Sequence, residues 1–130
     1  MQLVPGTQDF SLLCPVKSDV TQSFVPEMVD VPPGFEVISV PMKAGDVLFF
    51  NGSLIHGSLK NESPTRFRRA LIGHYISGEA ERVAHWYHPV YRMDGSIIEF
   101  GATEGGSKCG EYVDGTYVET STVEDALSRH

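Results

Sequence analysis

The central stretch of the sequence, residues 43–76, reads KAGDVLFFNGSLIHGSLKNESPTRFRRALIGHYI. Its pattern predicts a turn at Gly45–Asp46, a short apolar strand over Val47–Phe50 and a tight turn at Asn51–Gly52. A strand carrying His56 then follows, and after a polar loop the pattern predicts another strand over Phe67–Ile76. One histidine and a pair of arginines are thereby delivered onto adjacent strands of a sheet.

The alternation of side chains along these strands determines which residues share a face. Leu54, His56 and Ser58 share one face of their strand, and Arg68 lies on an apolar-rich face of the next strand. We expect both faces to point into the interior of one barrel. Burying an imidazole and a guanidinium there costs free energy unless each group has a partner. A metal on His56 and an anionic ligand on Arg68 would satisfy both groups.

These residues resemble a known family. The resemblance is carried by three groups: Ala44–Phe50, His56–Ser58 with Asn61, and Phe67–Ala70. Together they are similar to the C-terminal core of the phytanoyl-CoA dioxygenase family, whose members are iron(II)- and 2-oxoglutarate-dependent oxygenases. The resemblance implies a mainly β fold, a double-stranded β-helix of the jelly-roll, cupin-like type. It also implies that the chain contains only the C-terminal part of that fold, with one or two short helices.

The resemblance also assigns roles to single residues. It implies that His56 is a metal ligand and that Arg68 binds the far carboxylate of 2-oxoglutarate, with Ser58 assisting through its hydroxyl. The spacing from His56 to Arg68 is one residue longer than the usual family pattern, so Arg66 and Arg69 remain alternatives to Arg68.

The metal site of this family needs two histidines and one carboxylate. The family supplies the other histidine and the carboxylate from an upstream His-x-Asp or His-x-Glu motif, and no histidine of this sequence is followed two positions later by a carboxylate. Met1–Gln8 resembles a strand and Pro-Gly-Ser-His element from the middle of the fold, with Thr7 and Gln8 in the last two places. We therefore expect a chain that starts in mid-domain and forms a single partial domain over residues 1–130.

Composition limits the possible partners and the compartment. A net charge of -7 argues against nucleic acid as a partner, because binding phosphates needs a basic surface. No run of residues is apolar enough to span a membrane, and no signal-peptide pattern opens the chain, which favours a soluble cytoplasmic protein. Cys14 and Cys109 form no metal-ligand pattern and are expected to be free thiols.

The remaining segments are predicted from local signals. Phe35–Val40 alternates as a strand, and Ser11–Glu36 is a proline-rich loop that acts as a substrate lid or is disordered. Over residues 77–130 we expect a short helix at Gly78–Tyr87, turns and irregular coil at Arg92–Gly115, and a last helix at Thr120–His130.

Three functional hypotheses follow. The first is an iron(II)/2-oxoglutarate-dependent dioxygenase that hydroxylates a small molecule, in a truncated form lacking the His-x-Asp motif. The second is a non-catalytic, cupin-like half-barrel that binds an anionic small molecule through Arg68 or acts as an interaction module. The third is a half-barrel that completes its site by pairing with another chain, as in a homo-oligomer formed through unpaired strands.

Overall fold

The structure is a computed structural model of the 130-residue chain. It describes residues 1–21, 23, 25–104, 109, 111–114 and 116–118. Strands are the main regular elements of these residues, which confirms the predicted mainly β class. The strands are short and form small sheets, so the double-stranded β-helix stays a prediction. In the described part of the chain, no helix is long and apolar enough to cross a membrane.

The described residues form the following elements in chain order: β1 (Gln2–Leu3), β2 (Val16–Lys17), β3 (Glu27–Met28), β4 (Ile38–Ser39), β5 (His56–Gly57), β6 (Arg82–Ala84), a 3₁₀ turn (His85–Tyr87), β7 (Val90–Tyr91), β8 (Ile97–Ile98), β9 (Gly101–Thr103), β10 (Glu111–Val113) and β11 (Thr116–Val118). The largest sheet has the order β4-β1-β5, and both of its pairings are antiparallel. Antiparallel pairs also join β2 to β3, β7 to β8 and β10 to β11, whereas β6 and β9 are parallel.

The described residues group into two compact units. Unit 1 contains Met1–Phe67 and the described residues from Cys109 onward, and unit 2 contains the described residues of 68–107. The single partial domain over residues 1–130 stays a prediction. Each unit is described below by itself.

The core of unit 1 is small and lies beside the first turn of the chain. Phe10 and Leu13 are buried, and the ring of Phe10 packs edge-on against Phe35 with centroids 5.3 Å apart. Gly6 lies against the Phe35 ring, and its own φ is +90°. A Cβ at this position would approach Phe35 Cε1 to 3.0 Å. Only glycine meets both conditions, because L side chains rarely adopt that φ and a methyl group would crowd the ring.

Both turns of the central stretch are confirmed. Asp46 N donates to Lys43 O at 3.1 Å, and the Asp46 carboxylate accepts from Lys43 N at 2.7 Å. Leu54 N donates to Asn51 O at 3.4 Å and closes the turn after Asn51. Within the predicted strand Phe35–Val40, β4 is present and pairs with β1.

Two predicted strands of the central stretch are wrong. Val47–Phe50 and Phe67–Ile76 do not belong to any sheet of the described residues. The strand with His56 pairs with β1 and not with Val47–Phe50, because Asn51 is tied to the first turn: its side-chain amide donates to Gln8 O at 2.6 Å. The turn at Asn51 therefore directs the chain towards β1 instead of closing a hairpin.

The prediction of a helix over Gly78–Tyr87 is also wrong. Ser77 does accept the N–H of Glu79 through its hydroxyl at 3.3 Å, as a helix-capping residue would, but the chain then leaves the helical path. Its next residues form β6, which pairs in parallel with β9, and only the 3₁₀ turn at His85–Tyr87 follows. The segment Arg92–Gly115, expected to be irregular, contains strands β8 to β10. The helix predicted over Thr120–His130 lies outside the described residues.

The two cysteines are bonded to each other, so the prediction of free thiols is wrong. Cys14 and Cys109 form a disulfide within unit 1 across a separation of 95 residues. The sequence offered no clue to this pairing, because residues so far apart are brought together only by the fold. Such bonds are typical of oxidising compartments.

Replacing both cysteines, as Cys14→Ser with Cys109→Ser, is expected to lower the free energy of unfolding by about 2–4 kcal/mol, because a long loop is then no longer closed in the unfolded chain. Urea unfolding of the variant and the unmodified chain measures the difference. Quantitative alkylation of the native, unreduced chain by iodoacetamide would contradict the pairing, whereas a mass unchanged by the reagent agrees with it.

The hairpin of β7 and β8 in unit 2 is closed by a polar turn. Arg92 N donates to Ser96 O at 2.7 Å, and Gly95 occupies the turn with φ at +84°. The hydroxyl and N–H of Ser96 both donate to Asp94 Oδ1, at 2.7 and 2.9 Å. Two hydrogen bonds from Ser96 hold the pKa of Asp94 below its ordinary value of 3.8. The bond from the hydroxyl has the larger effect, and the bond from the N–H has the smaller one.

Ser96→Ala is expected to raise the pKa of Asp94 towards its ordinary value, because the carboxylate loses its hydroxyl donor. Because the pKa of Asp94 is lowered in the folded chain, its charged carboxylate stabilises the turn at pH values above the ordinary pKa. That contribution is lost as the pH falls through the pKa of the folded state. Carboxyl NMR titration measures the shift. Asp19, whose pKa is lowered by Thr21, is the internal control and is expected not to move. An Asp94 titration that is the same in the variant would contradict the assignment.

Candidate functional site

A buried hydroxyl holds the strand that carries the predicted metal ligand. Thr7 is completely buried, and its Oγ1 donates to Val4 O at 2.7 Å and accepts from Ile55 N at 2.9 Å. Val4 N in turn donates to Ile55 O at 2.9 Å. The end of β1 is therefore joined to the residue before His56 by one backbone bond and one side-chain bridge.

His56 begins β5 opposite Leu3 of β1. Its side chain is exposed, so the predicted projection into a barrel interior is wrong. The ring stacks at an angle on Phe50, with centroids 4.6 Å apart, and its Nδ1 lies 2.8 Å from Leu54 O. A carbonyl oxygen can only accept, so Nδ1 is the donor, and in the neutral ring the lone pair is on Nε2. Metal-bound histidines commonly have this arrangement, in which a backbone carbonyl orients the ring.

The two residues predicted to bind 2-oxoglutarate lie in different units. Ser58 is exposed and follows β5 in unit 1, whereas Arg68 is the first residue of unit 2 and is also exposed. The polar loop before Arg68 is ordered by its own side chains: Asn61 Nδ2 donates to Arg66 O at 2.5 Å, and Arg66 N donates to Ser63 Oγ at 3.0 Å. Asn61, which the sequence pattern placed in the motif, therefore shapes this loop.

A three-ligand metal site is not present in the described part of the chain. No group of three or more histidine, cysteine, aspartate or glutamate side chains converges among those residues. His56 alone has an oriented ring nitrogen in a position that the sequence predicts to be a ligand. The described residues therefore do not fit a complete iron centre.

Unit 2 contains a cleft of about 570 Å³. Its walls are largely apolar and aromatic, with Tyr75, Tyr91 and Phe100 among them, and its polar side chains include His74 and Arg92. Arg92 is oriented by a bond from Nη1 to Ile97 O at 2.9 Å. This cleft could not be predicted from the sequence, because its walls come from three separate segments of unit 2.

Comparison with known proteins identifies the family. Residues 1–70 match the family model described as phytanoyl-CoA dioxygenase (PhyH). The chain belongs to the phytanoyl-CoA dioxygenase family. The match includes β1, β5 and the positions of His56, Ser58 and Arg68. No curated protein and no solved structure matches the chain.

Membership of the phytanoyl-CoA dioxygenase family places the chain among dioxygenase-type proteins, as the sequence predicted. The matched residues end just after Arg68, so unit 2 is almost entirely outside the match. Thr7 lies inside it and was missed as a positioning residue. The available signal was its place directly after the Pro5-Gly6 turn, where a small hydroxyl side chain is well suited to bond a neighbouring backbone.

Thr7→Val is expected to destabilise unit 1 by about 1–3 kcal/mol, because the isosteric side chain leaves Ile55 N without its buried acceptor and removes the hydroxyl that donates to Val4 O. Urea unfolding measures the change. Thr65→Val, at an exposed threonine of the same unit, is the matched control and is expected to change stability by less than about 0.5 kcal/mol. Equal effects of the two substitutions would contradict the bridging role of Thr7.

Proposed function

We propose that this chain contributes one half of the site of an iron(II)/2-oxoglutarate-dependent hydroxylase of the phytanoyl-CoA dioxygenase family. His56 is its metal ligand, and Arg68 with Ser58 binds the co-substrate. The observation that carries the proposal is the His56 ring, whose Nδ1 is bonded to Leu54 O and whose Nε2 therefore has its lone pair available. The family match over residues 1–70 supports the class of chemistry.

His56 is held in a way that suits a ligand. The backbone just before His56 is held at two points. The Asn51 side chain donates to Gln8 O, and Ile55 N donates to the Thr7 hydroxyl. A ligand attached to a fixed backbone loses little conformational freedom when metal binds, so more of the binding free energy is retained. The neighbouring Phe50 ring covers one side of the imidazole and limits its rotation.

Arg68 is suited to a carboxylate because a guanidinium presents two parallel N–H donors to it. Ser58 adds a hydroxyl that can donate to the same group. The substrate is a small molecule, and nucleic acid is not a partner.

One half of the site does not make an iron centre. Iron(II) with 2-oxoglutarate supplies the oxidative chemistry of this family when three protein ligands hold the metal. This chain has one predicted ligand, and its sequence has no His-x-Asp or His-x-Glu motif. The proposal is therefore that the other two ligands come from outside these 130 residues, either from further sequence of the same protein or from another chain.

Anaerobic addition of iron(II) and 2-oxoglutarate tests this division of the site. The visible charge-transfer band of the chelated metal is expected to be absent from the 130-residue chain alone. It is expected to appear when the chain is refolded together with the N-terminal half of a family member that contains the His-x-Asp motif. In that pair, His56→Ala is expected to remove the band because one of three ligands is lost.

The matched control is His74→Ala, which removes an exposed histidine of unit 2 and is expected to leave the band unchanged. A band of equal strength in the His56→Ala pair would contradict the role of His56. A band from the 130-residue chain alone would contradict the division of the ligands and would mean that the chain assembles a centre by itself.

The co-substrate role of Arg68 is tested in the same pair. Arg68→Ala is expected to raise the concentration of 2-oxoglutarate needed for half of the band by about tenfold or more, because charge-assisted hydrogen bonds are lost. Arg66→Ala and Arg69→Ala are the controls for the two neighbouring arginines. An unchanged requirement after Arg68→Ala, with a raised one in either control, would transfer the role to that residue.

A second candidate function is binding of a small molecule without redox chemistry. The cleft of unit 2 favours it, since aromatic walls with a few polar groups are typical of ligand sites. Its apolar walls and the guanidinium of Arg92 suit a molecule with an apolar body and one anionic group. This function needs no metal, so it would survive His56→Ala.

A further inference from the structure

Three hydrogen bonds of unit 1 run in one direction, from His56 into the buried first turn. His56 Nδ1 donates to Leu54 O at 2.8 Å. The same peptide group carries the N–H of Ile55, which donates to Thr7 Oγ1 at 2.9 Å, and the Thr7 hydroxyl donates to Val4 O at 2.7 Å. Each group that accepts one bond therefore donates the next. We call these three bonds the His56–Val4 chain.

The direction of this chain is fixed at its buried end. Thr7 is completely buried, so its hydroxyl is shielded from bulk water. Ile55 N can only donate and Val4 O can only accept, so the hydroxyl has to accept from the first and donate to the second. Hydrogen bonds that all point the same way polarise one another. The Thr7 hydroxyl therefore strengthens Leu54 O as an acceptor, acting through the peptide group that lies between it and the ring.

Leu54 O is also held from its other side. Leu54 N donates to Asn51 Oδ1 at 3.2 Å, and the Leu54 side chain is buried. The carbonyl is therefore fixed by its own residue on one side and by the Ile55 N–H on the other. Water competes for the exposed imidazole of His56, and a carbonyl with a fixed direction competes best.

This acceptor decides between the two tautomers of the ring. In the Nε2–H tautomer, the lone pair of Nδ1 would face the lone pairs of Leu54 O at 2.8 Å, which is repulsive. In the Nδ1–H tautomer, the same two atoms form a hydrogen bond. The bond made by one ring nitrogen sets the state of the other. The neutral ring therefore keeps its lone pair on Nε2 as long as Leu54 O holds its position.

We propose that Thr7 is a positioning residue for His56: its hydroxyl, acting through the Leu54–Ile55 peptide group, holds the imidazole in the Nδ1–H tautomer. This role is distinct from the stability that Thr7 gives to unit 1, because it fixes which ring nitrogen is left to bind a partner. What that nitrogen binds rests on the proposed function, in which His56 is a metal ligand. The tautomer is a property of the chain without metal.

Nitrogen NMR of the metal-free chain measures the tautomer, since the ¹⁵N shift of a ring nitrogen depends on whether it carries a proton. At a pH where histidines are neutral, the unmodified chain is expected to show mainly the Nδ1–H form of His56. Thr7→Val is expected to lower the ratio of the Nδ1–H to the Nε2–H form by about threefold or more, the size of one weakened hydrogen bond. His85 of unit 2, whose Nδ1 lies 3.3 Å from Thr103 O, is the internal reference and is expected to keep its tautomer.

Three further variants separate this role from general stability. Thr7→Ala removes the same hydroxyl without placing a second methyl group beside Val4 O, and it is expected to lower the ratio as well. Thr7→Ser keeps a hydroxyl and is expected to keep the ratio of the unmodified chain. Leu13→Ala removes a buried side chain of the same core and lowers stability. It retains every group of the His56–Val4 chain, so the ratio is expected to stay the same.

Each outcome either supports or overturns the proposal. A ratio that falls in Thr7→Val and Thr7→Ala, and stays unchanged in Thr7→Ser and Leu13→Ala, supports it. A His56 ring that is mainly Nε2–H in the unmodified chain overturns it, whatever the variants do. A ratio that the loss of the hydroxyl leaves unchanged also overturns it, as does an equal fall in Thr7→Ser or Leu13→Ala.

Failure of the proposed function would have a different result. His56 would then keep the Nδ1–H tautomer in the metal-free chain, and Thr7→Val would still lower the ratio. In the refolded pair, however, His56→Ala would leave the iron(II) band at full strength. The positioning role of Thr7 would stand, and only the metal role of His56 would be lost.

Discussion

The hydroxyl of Thr7 is the constraint on which the first unit depends. Thr7 is a polar residue with no solvent exposure at all, and its hydroxyl bonds two segments that are 48 residues apart in sequence. An unmade hydrogen bond at such a position is costly, so the first turn and the segment before His56 must keep their relative placement. Gly6 and Phe35 pack around the same turn. The orientation of the His56 ring therefore follows from a polar contact inside a small apolar core.

That core is limited compared with the apolar surface around it. Val4, Phe10, Leu13 and Leu54 are its buried aliphatic and aromatic side chains in the described part of the chain, whereas Phe49, Phe67 and Leu71 are among the many large apolar side chains that are exposed. A small domain buries too little surface to be very stable unless something else contributes. Here a disulfide contributes within unit 1.

The sequence could predict features that rest on local chemistry. The turns at Gly45 and Asn51, the strand after Phe35 and the mainly β class follow from glycine, asparagine and alternating side chains. The family follows from residues 43–70, which carry its motifs. The sequence could not predict which strands pair, because that depends on the exposed contact between Asn51 and Gln8, which are 43 residues apart. It could not predict the disulfide for the same reason, and local helix signals after Ser77 were outweighed by the parallel pairing of β6 with β9.

The disulfide has a consequence for the covalent topology of the chain. Cys14 and Cys109 both belong to unit 1, and the whole of unit 2 lies between them in sequence. Unit 2 is thus an insertion inside a closed covalent ring. A protease that cut one peptide bond of this insertion would not divide the molecule, because the two fragments would remain joined through sulfur. The cut would appear only after reduction, so the insertion could vary or be cleaved while the unit that carries His56 stays in one piece.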